Sequence, residues 1–220
     1  MIASEAMQRR VASIALAATN DSGFALAGSG AIREHGFTCR PTADVDLFTD
    51  RRDAGGFERA LGDVIAQLAS EGFVVTVARR FELFARLRVT LDGEVVEVDL
   101  GVDWRARQPV VLALGPVLDE YDAVSNKVAA LFSRAEARDY LDVDAIRRSG
   151  RFSDAELLDG AAEHDDGFDR QLFAEALRQV RRIGSRRVRE YGVTPAELAG
   201  VERRLTDWAD QIEAAFGAEH

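Results

Sequence analysis

The sequence predicts an α/β domain at the N-terminus followed by an all-helical domain, and three observations carry that expectation. Up to about residue 122, short apolar runs alternate with one-sided helical patterns. Within that half, two alternating segments flank Asp92-Gly93, a two-residue hairpin signal. Beyond Tyr121 the punctuation changes to helix N-caps. The expected division is therefore 1–122 and 123–220.

Each element follows from local pattern. Ser4 to Thr19 places apolar residues at helical spacing. Phe24 to Gly28 is a short apolar run broken by Gly28-Ser29-Gly30, and Ala31 to His35 is a brief helix. Val45 to Thr49 reads as a strand. Phe57 to Ser70 carries Leu61, Val64, Ile65 and Leu68 on one helical face, Gly72 stops it, and the β-branched Phe73 to Ala78 follows as a strand. Phe81, Leu83, Ala85, Leu87, Val89 and Leu91 alternate with mostly polar residues, and Val96, Val98 and Leu100 alternate in return. In the second half, Ser133 to Glu136, Ser153 to Glu156 and Thr194 to Glu197 all have the form of a capping box, predicting helix starts at 134, 154 and 195. Pro195 suits the first helical position, where its missing N–H is not needed. The acidic stretch Glu163 to Asp169 reads as a solvated loop.

Composition bounds the function. The 220 residues are 47% hydrophobic and 30% charged, which excludes disordered and fibrous classes. A single cysteine, Cys39, excludes an internal disulfide and a Cys-rich zinc site, and three histidines make a His-based site thin. The longest apolar N-terminal stretch, Val11 to Ala18, is too short to span a bilayer. The expectation is a cytoplasmic protein without membrane association. The formal net charge of -10 disfavours a nucleic-acid partner, yet Arg178 to Glu190 holds six arginines against one acid. On a helix, Arg178, Arg182, Arg186 and Arg189 would share a face as a candidate RNA-binding surface. A solvated face in an arginine-rich protein accounts equally well for that run.

Several positions carry possible chemistry. Asp44 and Asp46 are two apart at the start of a strand, so their carboxylates share a face and make ligands for a hard cation such as Mg²⁺. Asp99, late in the return strand of the hairpin, points away from the apolar side and is a third candidate metal ligand. Gly28 and Ser29, after a strand and before a helix, present backbone N–H groups and a hydroxyl to an anion, although this loop fits neither a Walker A loop nor a dinucleotide fingerprint. Lys127 is the one lysine among 28 basic residues, and a flexible point charge can reach a phosphate oxygen in a way a planar guanidinium does not. On one continuous helix Lys127 and Asp142 would lie about 22 Å apart. A break at the Ser133 box would instead fold Arg138 and Asp142 back towards Lys127. The plain alternative is an i, i+4 ladder pairing Arg138 with Asp142.

Taken together, Ala27-Gly28-Ser29, Arg40-Pro-Thr42-Ala-Asp44-Val-Asp46-Leu47, Lys127-Val-Ala-Ala130-Leu131-Phe-Ser-Arg134 and Arg138-Asp139-Tyr-Leu-Asp142-Val resemble the AbiEii/MenT-type nucleotidyltransferase toxins of the polymerase-β superfamily. The blocks occur in the right order between about residues 24 and 146. The resemblance implies a nucleotidyltransferase-fold domain with a mixed sheet, a helical second domain that contributes Lys127 and Asp142 to a cleft, a nucleoside triphosphate substrate, and a cognate antitoxin. It further implies transfer of a nucleotide to the 3′ acceptor end of tRNA, which blocks translation. Carried over, Gly28, Ser29, Lys127 and Arg138 contact the nucleotide, Asp44 and Asp46 bind Mg²⁺, and Asp142 completes the catalytic set with Asp139 beside it. Thr42 takes a position where some members carry a phosphorylated hydroxyl. Ala27 departs from the usual Gly-Gly-Ser. Other acceptors, such as an aminoglycoside, and a catalytically silent binding module are the alternatives.

Overall fold

The computed structural model describes residues 3–42 and 44–218; Ala43, inside the Arg40 to Leu47 block, lies outside them. The chain divides into two compact units, one made of Met1–His35 and Pro41–Glu120, the other of Gly36–Arg40 and Tyr121–His220.

The first unit is built on a mixed sheet of seven strands: β1 (Ala25–Leu26), β2 (Asp44–Thr49), β3 (Val74–Phe81), β4 (Phe84–Leu91), β5 (Glu94–Val102), β6 (Val110–Leu112) and β7 (Gly115–Val117), in the order β3-β4-β5-β2-β1-β7-β6. The β2–β5 and β1–β7 pairs are parallel and the others antiparallel. Helices α1 (Glu5–Ala18) and α3 (Ala54–Ser70) pack together and against the sheet. They cover the face that carries Val45, Leu47, Leu87, Val89, Val98 and Leu100, all buried. Ser4 and Asp53 cap these helices through their side-chain oxygens. Asp92 and Gly93 both have positive φ, 50° and 82°, the backbone a type I′ hairpin requires.

Three expectations change in this unit. Phe81 does not open the β4 strand. It ends β3, and Glu82-Leu83 make a second tight turn that the continuing alternation conceals. The short helix α2 (Gly28–Glu34) begins three residues before Ala31, and β6 and β7 are too short for alternation to reveal.

The second unit contains α4 (Glu120–Arg134), α5 (Ala137–Ser149), α6 (Asp154–His164), α7 (Arg170–Arg178), α8 (Ser185–Val188) and α9 (Pro195–Ala218). Its core includes Leu131, Tyr140, Ile146, Phe173, Leu177, Leu205 and Trp208, all buried. The rings of Phe173 and Trp208 meet edge to face at 5.3 Å. The boxes at Ser153 and Thr194 form as expected, with reciprocal bonds to Glu156 and Glu197. The box at Ser133 does not. Helix α4 runs past it to Arg134, Ala135 takes φ +50°, and Asp139 accepts from the Glu136 backbone to start α5. Gly36–Arg40 also departs from a single boundary near 122, since it packs with the helices: Phe37 meets Phe152 at 6.3 Å and the Arg151 guanidinium lies over Phe37. Among the described residues, no helix is long and apolar enough to cross a membrane.

Candidate active site

In the first unit, strand pairing assembles the carboxylates. Residues of β2 alternate between half-buried and buried, so Asp44 and Asp46 share the half-buried face while Val45 and Leu47 point into the core. In the parallel β2–β5 pair Asp46 stands beside Asp99, and Asp44 beside Glu97, which places all four acids on one face. The loop before α2 closes on the same point. Ala27 N–H donates to the Asp46 carbonyl at 2.8 Å, and Gly28 follows with φ +54°. A Cβ on Gly28 would lie 1.9 Å from Asp46 Oδ2, so backbone and carboxylate approach as only glycine allows. Ser29 is buried in the first turn of α2.

Asp99 is already engaged. Arg86, directly across from it on β4, donates from Nε and Nη2 to its two carboxylate oxygens, both at 2.6 Å. Among the described residues no three metal-ligating side chains converge, and Asp99, next to Asp46 in the β2–β5 register, is clamped by Arg86. Thr42 is buried, and its hydroxyl donates to Gln8 Oε1 at 2.6 Å while the Gln8 amide donates to the Thr42 carbonyl. A kinase would have to open this contact to reach it.

In the second unit a buried ionic chain surrounds Lys127. Its ammonium lies 3.1 Å from Asp142 and 3.5 Å from Asp139. Arg40 grips Asp142 with two bonds of 2.6 Å, and Arg134 grips Asp139 at 2.9 and 2.8 Å. Burial pushes the Asp142 carboxyl up, but the charges of Lys127 and Arg40 outweigh it and hold the group below its ordinary value of 3.8. For Asp139, burial again acts upward and is outweighed by Arg134 and Lys127. The break at Ala135 is what lets Lys127 on α4 meet Asp139 and Asp142 on α5. The pairing found for Asp142 is with Arg40 and Lys127, whereas Arg138 pairs with Glu136 at 2.9 Å.

Sequence reasoning missed three members of these clusters, Arg40, Arg134 and Arg86. Arg40 stood in the block carrying the family resemblance but had no visible partner, because Asp142 is 102 residues away. Arg86 lies on the polar side of the β4 alternation, opposite Asp99 in the hairpin register, and that register could have found it. The expected arginine face is corrected. No continuous helix joins Arg178 to Arg189: α7 ends at Arg178, Gly184 is extended, and α8 starts afresh. Arg178 is tied to Asp210 and Glu213, while Arg182, Arg186 and Arg189 are exposed.

Two solved structures share this architecture. JHP933 from Helicobacter pylori is 15% identical with a TM-score of 0.54, covering 98% of both chains. Another H. pylori protein, described as a suspected nucleotidyltransferase, is 16% identical with a TM-score of 0.56, covering 99% of both. At such identities the likeness establishes the fold. No curated protein sequence matches the chain. A family model, the nucleotidyl transferase AbiEii toxin of type IV toxin–antitoxin systems, matches residues 12–217 and so spans both the Asp44–Asp46 strand and the Lys127 helices. With nearly its whole length accounted for, the chain belongs to the AbiEii nucleotidyltransferase toxin family.

Proposed function

We propose that this family member is a Mg²⁺-dependent toxin that transfers a nucleoside monophosphate from a nucleoside triphosphate to the 3′ acceptor end of tRNA and thereby blocks translation, with a cognate antitoxin as its partner. The observation that supports it most is the Asp44–Asp46 pair on a half-buried sheet face with Gly28 pressed against Asp46. Mg²⁺ fits this donor set, since it typically takes one or two carboxylates and fills its shell with substrate phosphates and water. Bound there, it would lower the pKa of the attacking hydroxyl and stabilise the leaving pyrophosphate.

The chain's own groups do the positioning. Asp44 and Asp46 supply negative charge where the triphosphate needs a cation between itself and the protein. Gly28 and Ser29 offer N–H groups and a hydroxyl to the phosphates. Lys127 is the phosphate-holding cation of this reading, oriented by Asp139 and Asp142, and Arg138, whose charge also acts on Asp139, is the second basic nucleotide contact of this unit. The acceptor hydroxyl gives up its proton to solvent water and attacks the α-phosphorus in line; the new O–P bond forms, and the bond to the pyrophosphate breaks with its electron pair leaving on the pyrophosphate oxygen.

The test is incubation of the protein with Mg²⁺, total tRNA and each of the four labelled nucleoside triphosphates. Label should appear on tRNA with at least one of them and vanish with Asp44→Asn or Asp46→Asn. No label with any nucleotide sinks the reading; label on an aminoglycoside but not on tRNA moves the acceptor to a small molecule.

A further inference from the structure

Three rows of side chains cross the sheet on the face that carries Asp44 and Asp46. Strand register aligns Asp46, Asp99, Arg86 and Arg79 in one row. Asp44, Glu97, Arg88 and Thr76 form the second, and Phe48, Gly101, Phe84 and Phe81 the third. The character changes along them. Over β2 and β5 the face is acidic; over β4 and the edge strand β3 it is basic and aromatic.

An irregularity in β3 produces this arrangement. The β3–β4 register shifts between Val77 and Arg79, inserting Ala78 as an extra residue. With uninterrupted alternation, Ala78 and Arg80 would follow Thr76 on this face. The shift substitutes Arg79 and Phe81 and sends Arg80 to the other side, where it pairs with Glu58 of α3. Phe81 is 67% exposed, its ring centroid 6.2 Å from that of Phe84. Arg79 is exposed, and the Arg88 side chain is 58% exposed with only a long pairing to Glu97 at 3.7 Å. Neither β3 nor β4 places an acid on this face. A large aromatic left in water beside arginines suits a ligand with flat rings and repeated negative charge.

The geometry points to the β3–β4 face as the track for a single-stranded RNA end, with backbone phosphates against Arg88 and Arg79 and a base stacked on Phe81 and Phe84. This rests on the proposed RNA acceptor and names the surface that receives it. Three strand steps of about 4.8 Å separate β2 from β3, about 14 Å in all. At roughly 3.4 Å per stacked nucleotide that is about four nucleotides. A 3′ hydroxyl at Asp44 and Asp46 thus puts the preceding nucleotides over β5 and β4 and about the fourth over β3. Stacking and phosphate contacts are sequence-tolerant, so this track holds the acceptor end without reading its bases. The outer edge of β3 could also pair with a strand of a protein partner, but arginines facing a polyanion favour RNA.

The test uses the full-length protein, a fluorescein-labelled single-stranded RNA of roughly 12 nucleotides with a free 3′ hydroxyl, and Mg²⁺ with a non-hydrolysable triphosphate as a second probe. Phe81→Ala should weaken RNA binding by roughly 5- to 100-fold. Arg79→Glu should weaken it at about 50 mM salt, with a log–log salt slope smaller by about 0.7 or more. Both positions are exposed, so the melting temperature should stay at the wild-type value and triphosphate binding should persist. Wild-type protein that labels RNA while both variants bind RNA normally overturns the track and leaves the proposed reaction standing. Wild-type protein that labels tRNA but does not bind this RNA overturns the track alone, whereas wild-type protein that binds triphosphate but neither labels tRNA nor binds RNA overturns both. Variants that lose a co-expressed antitoxin while keeping RNA also overturn the track and give the edge to a protein.

Discussion

Replacing Lys127 with methionine separates a charge that only meets substrate from one that also holds its own unit together. The Nζ lies 3.1 and 3.5 Å from two carboxylates whose side chains have no exposure. At an effective dielectric constant near 20, each contact is worth about 5 kcal/mol of attraction before the cost of burying the ammonium is subtracted. Removing one partner of a buried ion pair typically costs about 3–5 kcal/mol. Arg40 and Arg134 still hold the two aspartates, which favours the lower end. Methionine keeps the unbranched bulk. A loss of about 3 kcal/mol corresponds to a fall in melting temperature of roughly 6–12 °C for a chain of this size. Thermal unfolding followed by circular dichroism reads it directly, with no substrate present. A variant that melts within about 2 °C of wild type refutes the argument that Lys127 is a member of the ionic chain. Lost transferase activity decides nothing here, because either role removes it.

Gly28→Ala places a methyl group 1.9 Å from Asp46 Oδ2 at a backbone φ of +54°, so it should cost about 1–2 kcal/mol in backbone strain and displace the carboxylate. Calorimetric titration with Mg²⁺ and a non-hydrolysable triphosphate should show weakened affinity, and label transfer should slow by roughly 100-fold because the carboxylate is misplaced; unchanged affinity and rate would remove Gly28 from the site. The pKa values of Asp139 and Asp142 are held below 3.8 in the folded state, so on acidification the unfolded chain takes up these protons first. Their contribution to stability is fully present above pH 3.8 and drains away as pH falls through the native values, and Lys127→Met should move that decline to higher pH in an acid-unfolding titration. Ser153→Ala removes a cap whose hydroxyl accepts from the Glu156 N–H at 3.2 Å, and should cost about 1 kcal/mol, or roughly 2–4 °C in melting temperature, without touching triphosphate affinity.

What the sequence disclosed depended on how far apart the interacting residues lie. The β4–β5 hairpin, the α3 face and the caps at Ser153 and Thr194 are set by neighbours within a few residues, and all form where the pattern places them. The failed box at Ser133 shows why local rules can tie. Ser133 to Glu136 and Glu136 to Asp139 are both acceptable starts, and the second wins where Asp139 is also held by Lys127 and Arg134. The shared face of Asp44 and Asp46 was legible because strand period alone decides it, whereas the Arg40–Asp142 grip joins residues 102 positions apart. The arginine run misled because charge carries no mark of the extended Gly184 that interrupts it.

The transfer of Gly36–Arg40 to the helical unit has a consequence for how the molecule comes into being. A ribosome that has made residue 40 must add 102 more before the carboxylate that grips Arg40 exists. At about 5–20 residues per second that wait is roughly 5–20 s. A chain cut at residue 120 keeps Arg40 and loses Asp142, and a chain begun at 121 has the reverse defect. Neither fragment inherits the complete ionic chain, so the helical unit cannot be completed by any contiguous stretch that omits residues 36–40.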